Sequence, residues 1–184
     1  MSLVELIAQA DERGLAASGL ACLDRCVPLL GGDDELLRPL WASLSGTGDG
    51  DWSAGLEAAR GKLAGSGAAA EDEAAALARR MLDAAPAARD ADGVRVWADA
   101  CSVASLQIHR LLDPAADDAP LDARREGRTE GMPPLVAAEL RRQVTVLEVL
   151  AGHGTAGLRR ALEVSVEGRR VLRAVVSRRA RGTR

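Results

Sequence analysis

The 184-residue sequence predicts an all-α protein, a multi-helix bundle of about six to eight helices. Apolar residues recur at steps of three and four along most of the chain, which is the spacing of one helix face. Glycine and proline residues separate these periodic segments. No segment needs a partner strand to account for its pattern. The 36 alanines would let the helices pack closely without bulky aromatic side chains.

Three helices are predicted in the first 45 residues. Ser2 and Glu5 have the spacing of a capping box, which opens a helix to about residue 13 that Gly14 can close in a left-handed conformation. A second helix follows over residues 15–30. Three carboxylates at residues 33–35 then favour the start of a third helix through its dipole.

Three more helices are predicted, at residues 52–64, 68–85 and 92–112. Glycine-rich loops at residues 45–50 and 65–67 separate them from their neighbours. The last of the three has the clearest apolar stripe of the chain. Trp41 and Trp97 fall at core positions of their helices, and the core is also the favoured place for Trp52.

The helical pattern stops between residues 113 and 132. A connection of this length is uncommon inside a compact domain, so it is a mobile functional loop or, as we favour, a flexible linker. A seventh helix then starts at Pro133-Pro134, and a turn at Gly152–Thr155 joins it to an eighth. The predicted parts are an acidic helical bundle at 1–112, the linker at 113–132 and a C-terminal amphipathic helical hairpin, with a basic last helix and tail, at 133–184.

The composition favours a soluble protein of the bacterial cytoplasm. It is 47% hydrophobic and 28% charged, and no apolar run reaches the roughly 20 residues of a membrane span. The N-terminus lacks the basic and apolar regions of a secretory signal, and three cysteines, an odd number, fit a reducing compartment. Arginine outnumbers lysine 23 to 1 and asparagine is absent, which a GC-rich bacterial genome explains.

Charge is distributed unevenly along the chain. Residues 1–140 hold 13 basic and 24 acidic side chains, whereas residues 141–184 hold 11 arginines and 3 glutamates. On a helical wheel the last helix has an apolar side and a basic side. The candidate basic contact surface consists of Arg159, Arg160, Arg170, Arg173, Arg178 and Arg181.

Three interpretations compete for this basic surface. It can be a solvated face that leans against the acidic body of the same chain, with cations suited to a helix C-terminus. It can bind nucleic acid by neutralising phosphates, although no aromatic residue is interleaved for base stacking. It can also bind an acidic protein or an anionic membrane surface; the membrane ranks below the protein because the apolar side carries no Trp or Phe.

The sequence offers no strong chemical motif. Cys22 and Cys26 lie one helical turn apart, but no second Cys/His pair completes a zinc site, so we predict that they are small packing residues. Cys101 is predicted to lie in the core, and His109 to be a surface or rim residue. There is no P-loop, dinucleotide-binding glycine pattern or metalloprotease motif. We therefore predict no catalytic residue, cofactor or metal.

These observations favour a non-enzymatic helical interaction or regulatory module. Its partner would be a protein or a second copy of the chain, bound through the C-terminal hairpin. The alternative is a nucleic-acid-associated protein that uses the Arg-rich face of residues 159–184. An enzyme ranks third, because one Lys, two His and no Tyr leave few general acids or bases besides carboxylates.

Overall fold

Every regular element of the computed structural model is helical in the part that it describes, residues 1–46, 50–64 and 72–183. The all-α, multi-helix prediction is confirmed. The predicted loop at 65–67, residues 47–49 of the predicted loop at 45–50 and the start of the helix predicted from residue 68 lie outside the described residues. The α-helices are α1 (Leu3–Gln9), α2 (Glu12–Arg25), α3 (Arg38–Ser45), α4 (Gly50–Leu63), α5 (Glu73–Asp83), α6 (Ala91–Leu112), α7 (Leu121–Arg125) and α8 (Pro134–Gly182).

The boundary between α1 and α2 combines a confirmed and a wrong prediction. The capping box is present: the Ser2 hydroxyl accepts from the Glu5 amide (3.3 Å), and Glu5 accepts from the Ser2 amide (2.7 Å). The predicted continuation to residue 13, with Gly14 as its end, is wrong. Asp11 accepts a hydrogen bond from the Gly14 amide (2.7 Å) and begins α2 instead. An aspartate N-cap satisfies a free amide of the first turn, so the chain starts a new helix there.

Helix α2 lies at the centre of the molecule. It packs mainly against α6 and α8, and every residue from Gly14 to Arg25 is buried. Small residues allow this enclosure, because they let neighbouring helices approach. At Gly19 an added Cβ would lie 2.7 Å from the ring of Trp97, so only glycine leaves room for the indole. A turn of 3-10 helix, Val27–Leu29, follows α2 and contains Pro28.

The three tryptophans are buried, as predicted, and each indole N–H has an acceptor. Trp41 donates to the Asp24 carboxylate (2.8 Å), and Trp52 donates to the Pro86 carbonyl (2.8 Å). Trp97 donates to a backbone carbonyl of α5 (2.9 Å). Trp52 and Trp97 meet edge to face, with ring centroids 5.9 Å apart. These large side chains join α3, α4, α5 and α6 around the central helix.

The segment at residues 113–132 contains α7 and several hydrogen bonds to its surroundings. The Arg124 guanidinium donates to the carbonyls of Arg128 (2.9 Å) and Glu130 (2.7 Å) and to the Asp117 carboxylate (2.7 Å). Arg110 of α6 donates to the Ala119 carbonyl (2.8 Å). These bonds tie the segment to itself and to α6. The division of the chain into three parts stays a prediction.

Helix α8 extends over the region for which two helices are predicted. Gly154 is its non-helical residue (φ 53°, ψ −126°) and separates a first arm, residues 134–153, from a second arm, residues 155–182. The arms contact each other: an added Cβ at Gly157 would overlap the Val149 carbonyl, and Arg142 lies 3.8 Å from Glu167. No described helix is both long enough and apolar enough to cross a bilayer.

The second arm meets α2 closely at Gly168. A Cβ added there would overlap Cδ of Arg25, lie 2.9 Å from its Cγ and lie 3.0 Å from Cδ of Arg142. Arg25 is fully buried, so its side chain can move away from an added Cβ only if its neighbours move as well. Glycine at this position therefore sets the distance between α8 and α2.

We expect Gly168→Ala to lower the free energy of unfolding by about 1–3 kcal/mol, because overpacking strains a closed core. Gly61→Ala is the matched control: Gly61 lies in α4 with no atom within 4 Å of an added Cβ. Its substitution should raise the free energy of unfolding by about 0.5–1 kcal/mol. Urea denaturation followed by circular dichroism measures both, and equal effects of the two substitutions would contradict the close approach at Gly168.

Candidate functional site

A fully buried ion pair joins α2 to α8. Arg25 is the last residue of α2, Glu139 lies in the first arm of α8, and neither side chain is exposed. The guanidinium donates through Nε to Oε2 of Glu139 (2.8 Å) and through Nη2 to Oε1 (2.7 Å). Such a two-bond pair is directional as well as strong. Two residues 114 positions apart are thereby held against each other.

The Glu139 carboxylate also receives hydrogen bonds from its own helix and from α6. Gln143 donates to Oε1 (2.8 Å), and the Ser105 hydroxyl donates to the same oxygen (2.7 Å). Burial alone would raise the pKa of Glu139, but the charge of Arg25, together with His109 and the hydrogen bonds, lowers it to about 2. The carboxylate is therefore ionised at neutral pH, and three helices meet at it.

A chain of hydrogen bonds extends this centre to α7. The Ser102 hydroxyl of α6 donates to Oε1 of Gln143 (2.7 Å) and accepts from Nε of Arg125 (3.2 Å). Arg125 also pairs with Asp99, a carboxylate at the surface end of the chain of bonds. We call Arg25, Ser102, Ser105, His109, Glu139 and Gln143 the buried polar centre. It connects the segment at 113–132 to the core.

The prediction that His109 lies at the surface or rim is wrong. His109 is 2% exposed, and its Nδ1 lies 2.7 Å from the Ser105 carbonyl, an acceptor, so Nδ1 carries the proton. Nε2 lies 3.6 Å from Oε2 of Glu139. Burial lowers the pKa of His109, while Glu139 acts in the opposite direction. Helical periodicity placed this residue on the flank of α6, and only the packing of α8 covers that flank.

The three cysteines are buried and free, which agrees with their predicted packing role. Burial raises the pKa of the Cys22 thiol to about 12, although Arg25 acts against it, and burial also raises the pKa of Cys26 and Cys101. At neutral pH all three are thiols rather than thiolates, and thiolates are the nucleophiles and metal ligands. The described residues contain no group of three or more His, Cys, Asp or Glu side chains that could hold a metal ion.

The buried polar centre has the chemistry of a structural anchor. Glu139 and His109 are 0% and 2% exposed, and neither lines the three grooves found at the surface of the described residues. A substrate would have no access to the carboxylate or the imidazole without displacing α8. The centre holds charges that would be very unfavourable if unpaired, and it therefore positions α2, α6 and α8.

A second buried pair attaches the second arm of α8 to α2. Nη1 of Arg169 donates to Oδ1 of Asp24 (2.8 Å) and to the Asp34 carbonyl (3.1 Å), while Trp41 donates to the other oxygen of Asp24. Burial raises the pKa of Asp24 against the effects of Arg169 and Trp41. Arg173, one turn later, pairs with the Asp34 carboxylate at the surface and lowers its pKa. The second arm is thus held to the acidic body as far as residue 173.

All six arginines of the candidate basic contact surface are exposed, but they have different surroundings. Arg159 and Arg160 each pair with Glu163 of their own helix, at 3.5 Å and 3.2 Å. Arg173 pairs with Asp34. The structure therefore separates a compensated part of the surface from Arg170, Arg178 and Arg181, which make no hydrogen bond or ion pair within the described residues.

Two arginines of the second arm are absent from the predicted contact surface although they contribute to the attachment of α8 and to its exposed charge. Arg169 is the buried partner of Asp24, and Arg179 is exposed beside Arg178. Helical spacing is the signal that could have found Arg169, because it lies on the same side of the helix as the buried Ser165 and Leu172, whereas Arg170 does not. We call Arg178, Arg179 and Arg181 the basic end of α8; none of their guanidinium groups makes a hydrogen bond or ion pair in the part of the chain that the structure describes.

An apolar groove of about 390 Å³ lies beside the basic end. Its walls come from the end of α6, the start of α8 and the second arm, and Arg178 and Arg179 line one side of it. The carboxylate oxygens of Asp113 in the groove already accept from the amides of Leu135 (2.7 Å) and Ala115 (2.9 Å). The apolar lining residues are Leu111, Leu112, Pro114, Leu135 and Val175. The groove thus combines apolar walls with two arginine side chains that form no ion pair within the described residues.

The sequence matches no protein-family model, and neither the curated proteins nor the solved structures gave a match.

We expect Glu139→Gln to lower the free energy of unfolding by about 3–5 kcal/mol, because it leaves the Arg25 charge buried without its counterion. The control Glu57→Gln changes an exposed carboxylate of α4 and should shift the free energy by no more than about 0.5 kcal/mol. Urea denaturation at pH 7 compares them. Similar losses in both variants would show that the buried pair does not anchor the fold.

Stability should fall as the pH falls, in two windows. The folded-state pKa of His109 is lowered from 6.5, so below that pH protons bind preferentially to the unfolded chain. Glu139 contributes stability above pH 4.5 and loses it as the pH falls towards 2. Asp24, whose pKa is raised, opposes the second effect.

Urea denaturation at a series of pH values from 7 to 3 measures this dependence. Each proton contributes a slope of up to about 1.4 kcal/mol per pH unit. His109→Gln should flatten the first window and leave the second. A wild-type stability that does not change between pH 7 and 3 would contradict these pKa shifts.

Proposed function

We propose that this chain is a non-enzymatic interaction module that binds an acidic protein surface through the basic end of α8. The observation that supports the proposal is that Arg178, Arg179 and Arg181 are exposed and unpaired within the described residues, beside an apolar groove. The centre of a protein interface is apolar and enriched in arginine. Both features occur together at this place on the molecule.

The distribution of paired and unpaired arginines favours binding over simple compensation within the chain. As far as residue 173, the second arm has acidic partners on the body, Asp24 and Asp34. The interpretation of a face that leans against its own acidic body therefore applies to Arg169 and Arg173. Beyond them the guanidinium groups of Arg178, Arg179 and Arg181 form no ion pair within the described residues, so an external anion can compensate their charge.

A protein partner is favoured over nucleic acid by the surroundings of the basic end. Residues 1–140 carry a net charge of −11, which repels a polyanion as long as a nucleic acid duplex. The three arginines of the basic end offer few phosphate contacts, and apolar groove walls add nothing to phosphate binding. An acidic protein segment with one or two apolar side chains would use both the charge and the groove. The composition favours the bacterial cytoplasm as the site of this interaction.

The test uses fluorescein-labelled peptides and duplexes in anisotropy titrations with the full chain. One peptide alternates glutamate with leucine, and a second of equal charge alternates glutamate with serine. We expect the leucine peptide to bind at least about tenfold tighter, since it also fills the apolar groove. The triple variant Arg178→Glu, Arg179→Glu and Arg181→Glu should abolish binding, while Arg159→Glu with Arg160→Glu is the matched control and should retain it.

Labelled duplex DNA and RNA form the second arm of this test, at about 50 and 200 mM salt. Nucleic-acid binding that exceeds peptide binding and disappears in the triple variant would replace the proposal with a nucleic-acid-associated function. Failure of every probe to bind would also overturn it. Substitution is preferable to removal of residues 168–184, because Arg169 and Leu172 are buried parts of the fold.

A further inference from the structure

We propose that the partner at the groove is a second copy of this chain, which inserts the face of α6 around Val96. This inference rests on the proposed function, and it names the partner. It is carried by two surfaces of the same molecule that have complementary chemistry: the groove with Arg178 and Arg179, and an acidic helix face with an exposed apolar side chain.

The face around Val96 has the composition that the groove would accept. Val96 is 72% exposed. Among the described residues, the large apolar side chains that are more than a third exposed are Met1, Val4 and Val96. Asp92 and Asp99 lie four residues before and three residues after Val96, so all three share one side of the helix. The face therefore presents a branched apolar side chain between two carboxylates.

Arg95, the cation next to Val96 in the sequence, pairs with neither carboxylate of this face. Arg95 turns its guanidinium to the end of α1, where it donates to the carbonyls of Ile7 (2.8 Å) and Ala8 (3.0 Å). Asp99 forms an ion pair with Arg125, whereas Asp92 makes no ion pair within the described part of the chain. We expect Arg178 and Arg179 of one copy to lie near Asp92 and Asp99 of the next, with Val96 against Leu111 and Leu135.

The face around Val96 cannot occupy the groove of its own chain. Val96 and Leu112 are 16 residues apart on the same helix, which corresponds to about 24 Å at 1.5 Å per residue. The two surfaces differ, so each contact leaves one groove and one Val96 face free. Contacts of this kind continue from copy to copy unless a rotation closes them into a ring. The expected assembly therefore grows beyond a dimer as the concentration rises.

The first experiment is sedimentation velocity of the full chain from about 10 to 300 µM, the range for a small and transient interface. We expect the weight-average mass to rise from the monomer value of 19.2 kDa to more than twice that value. Raising the salt from about 50 to 500 mM should weaken the association at least about tenfold, because it screens the arginine–aspartate contacts. A monomer at every concentration in low salt would overturn the inference.

Two half-blocked variants test the surfaces separately. Val96→Lys places a cation on the acidic face, and Arg178→Glu with Arg179→Glu reverses the charge of the groove. Each variant alone should be monomeric. A mixture should form a one-to-one dimer and nothing larger, because one intact groove meets one intact Val96 face. If either variant assembles like the wild type, or if the mixture stays monomeric, the inference is wrong.

Matched controls separate these effects from general changes of charge. Val4→Lys changes another exposed valine, and Arg38→Glu with Arg128→Glu reverses two other exposed arginines. Both controls should assemble like the wild type, and circular dichroism should show native helix content for all variants. If the acidic leucine peptide binds at the basic end while the full chain stays monomeric, this inference fails and the proposed function stands. If neither the peptide nor a second copy binds, both fail.

Discussion

The pairing of Arg25 with Glu139 is the contact on which the arrangement of the helices depends. Apolar packing of alanine and leucine is favourable but non-directional, so it permits several relative placements of similar helices. A buried carboxylate and guanidinium are satisfied only over a narrow range of distances and angles. Here the carboxylate also accepts from Ser105 and Gln143, which adds α6 to the pair. One placement of α2, α6 and α8 satisfies all of these bonds.

The position of the basic end follows from this arrangement. Gly168 allows the second arm to cross Arg25 closely, and Arg169 then reaches Asp24 on the same side of α2. These two neighbouring residues fix the direction in which α8 leaves the core. The last two turns of the helix consequently lie beside the ends of α6 and of the first arm, where the apolar groove forms. The buried polar centre therefore determines where the exposed charge of the basic end lies.

Particular residues show how far the sequence leads. The Ser2 capping box, the buried tryptophans and the packing cysteines could be predicted, because each depends on a spacing of three or four residues. The end of α1 was missed because Asp11 offers a competing N-cap that the apolar pattern does not reveal. Glu139 could have been suspected, since it occupies a core position at helical spacing from Val136 and Gln143. The candidate basic contact surface stays a prediction, and the pairing of its arginines with Glu163 and Asp34 was not foreseen.

The helical class, most helix positions and the contrast between an acidic body and a basic C-terminal region follow from local features of the sequence. Periodicity, caps and net charge are local properties, so they can be read along the chain. Which charges are paired depends on contacts between residues that are distant in the sequence. Arg169 and Arg170 are neighbours with the same chemistry, yet Arg169 is buried against Asp24, 145 residues away, and Arg170 is exposed. The state of a charged side chain depends on the partner that folding brings to it, and the local sequence does not contain that information.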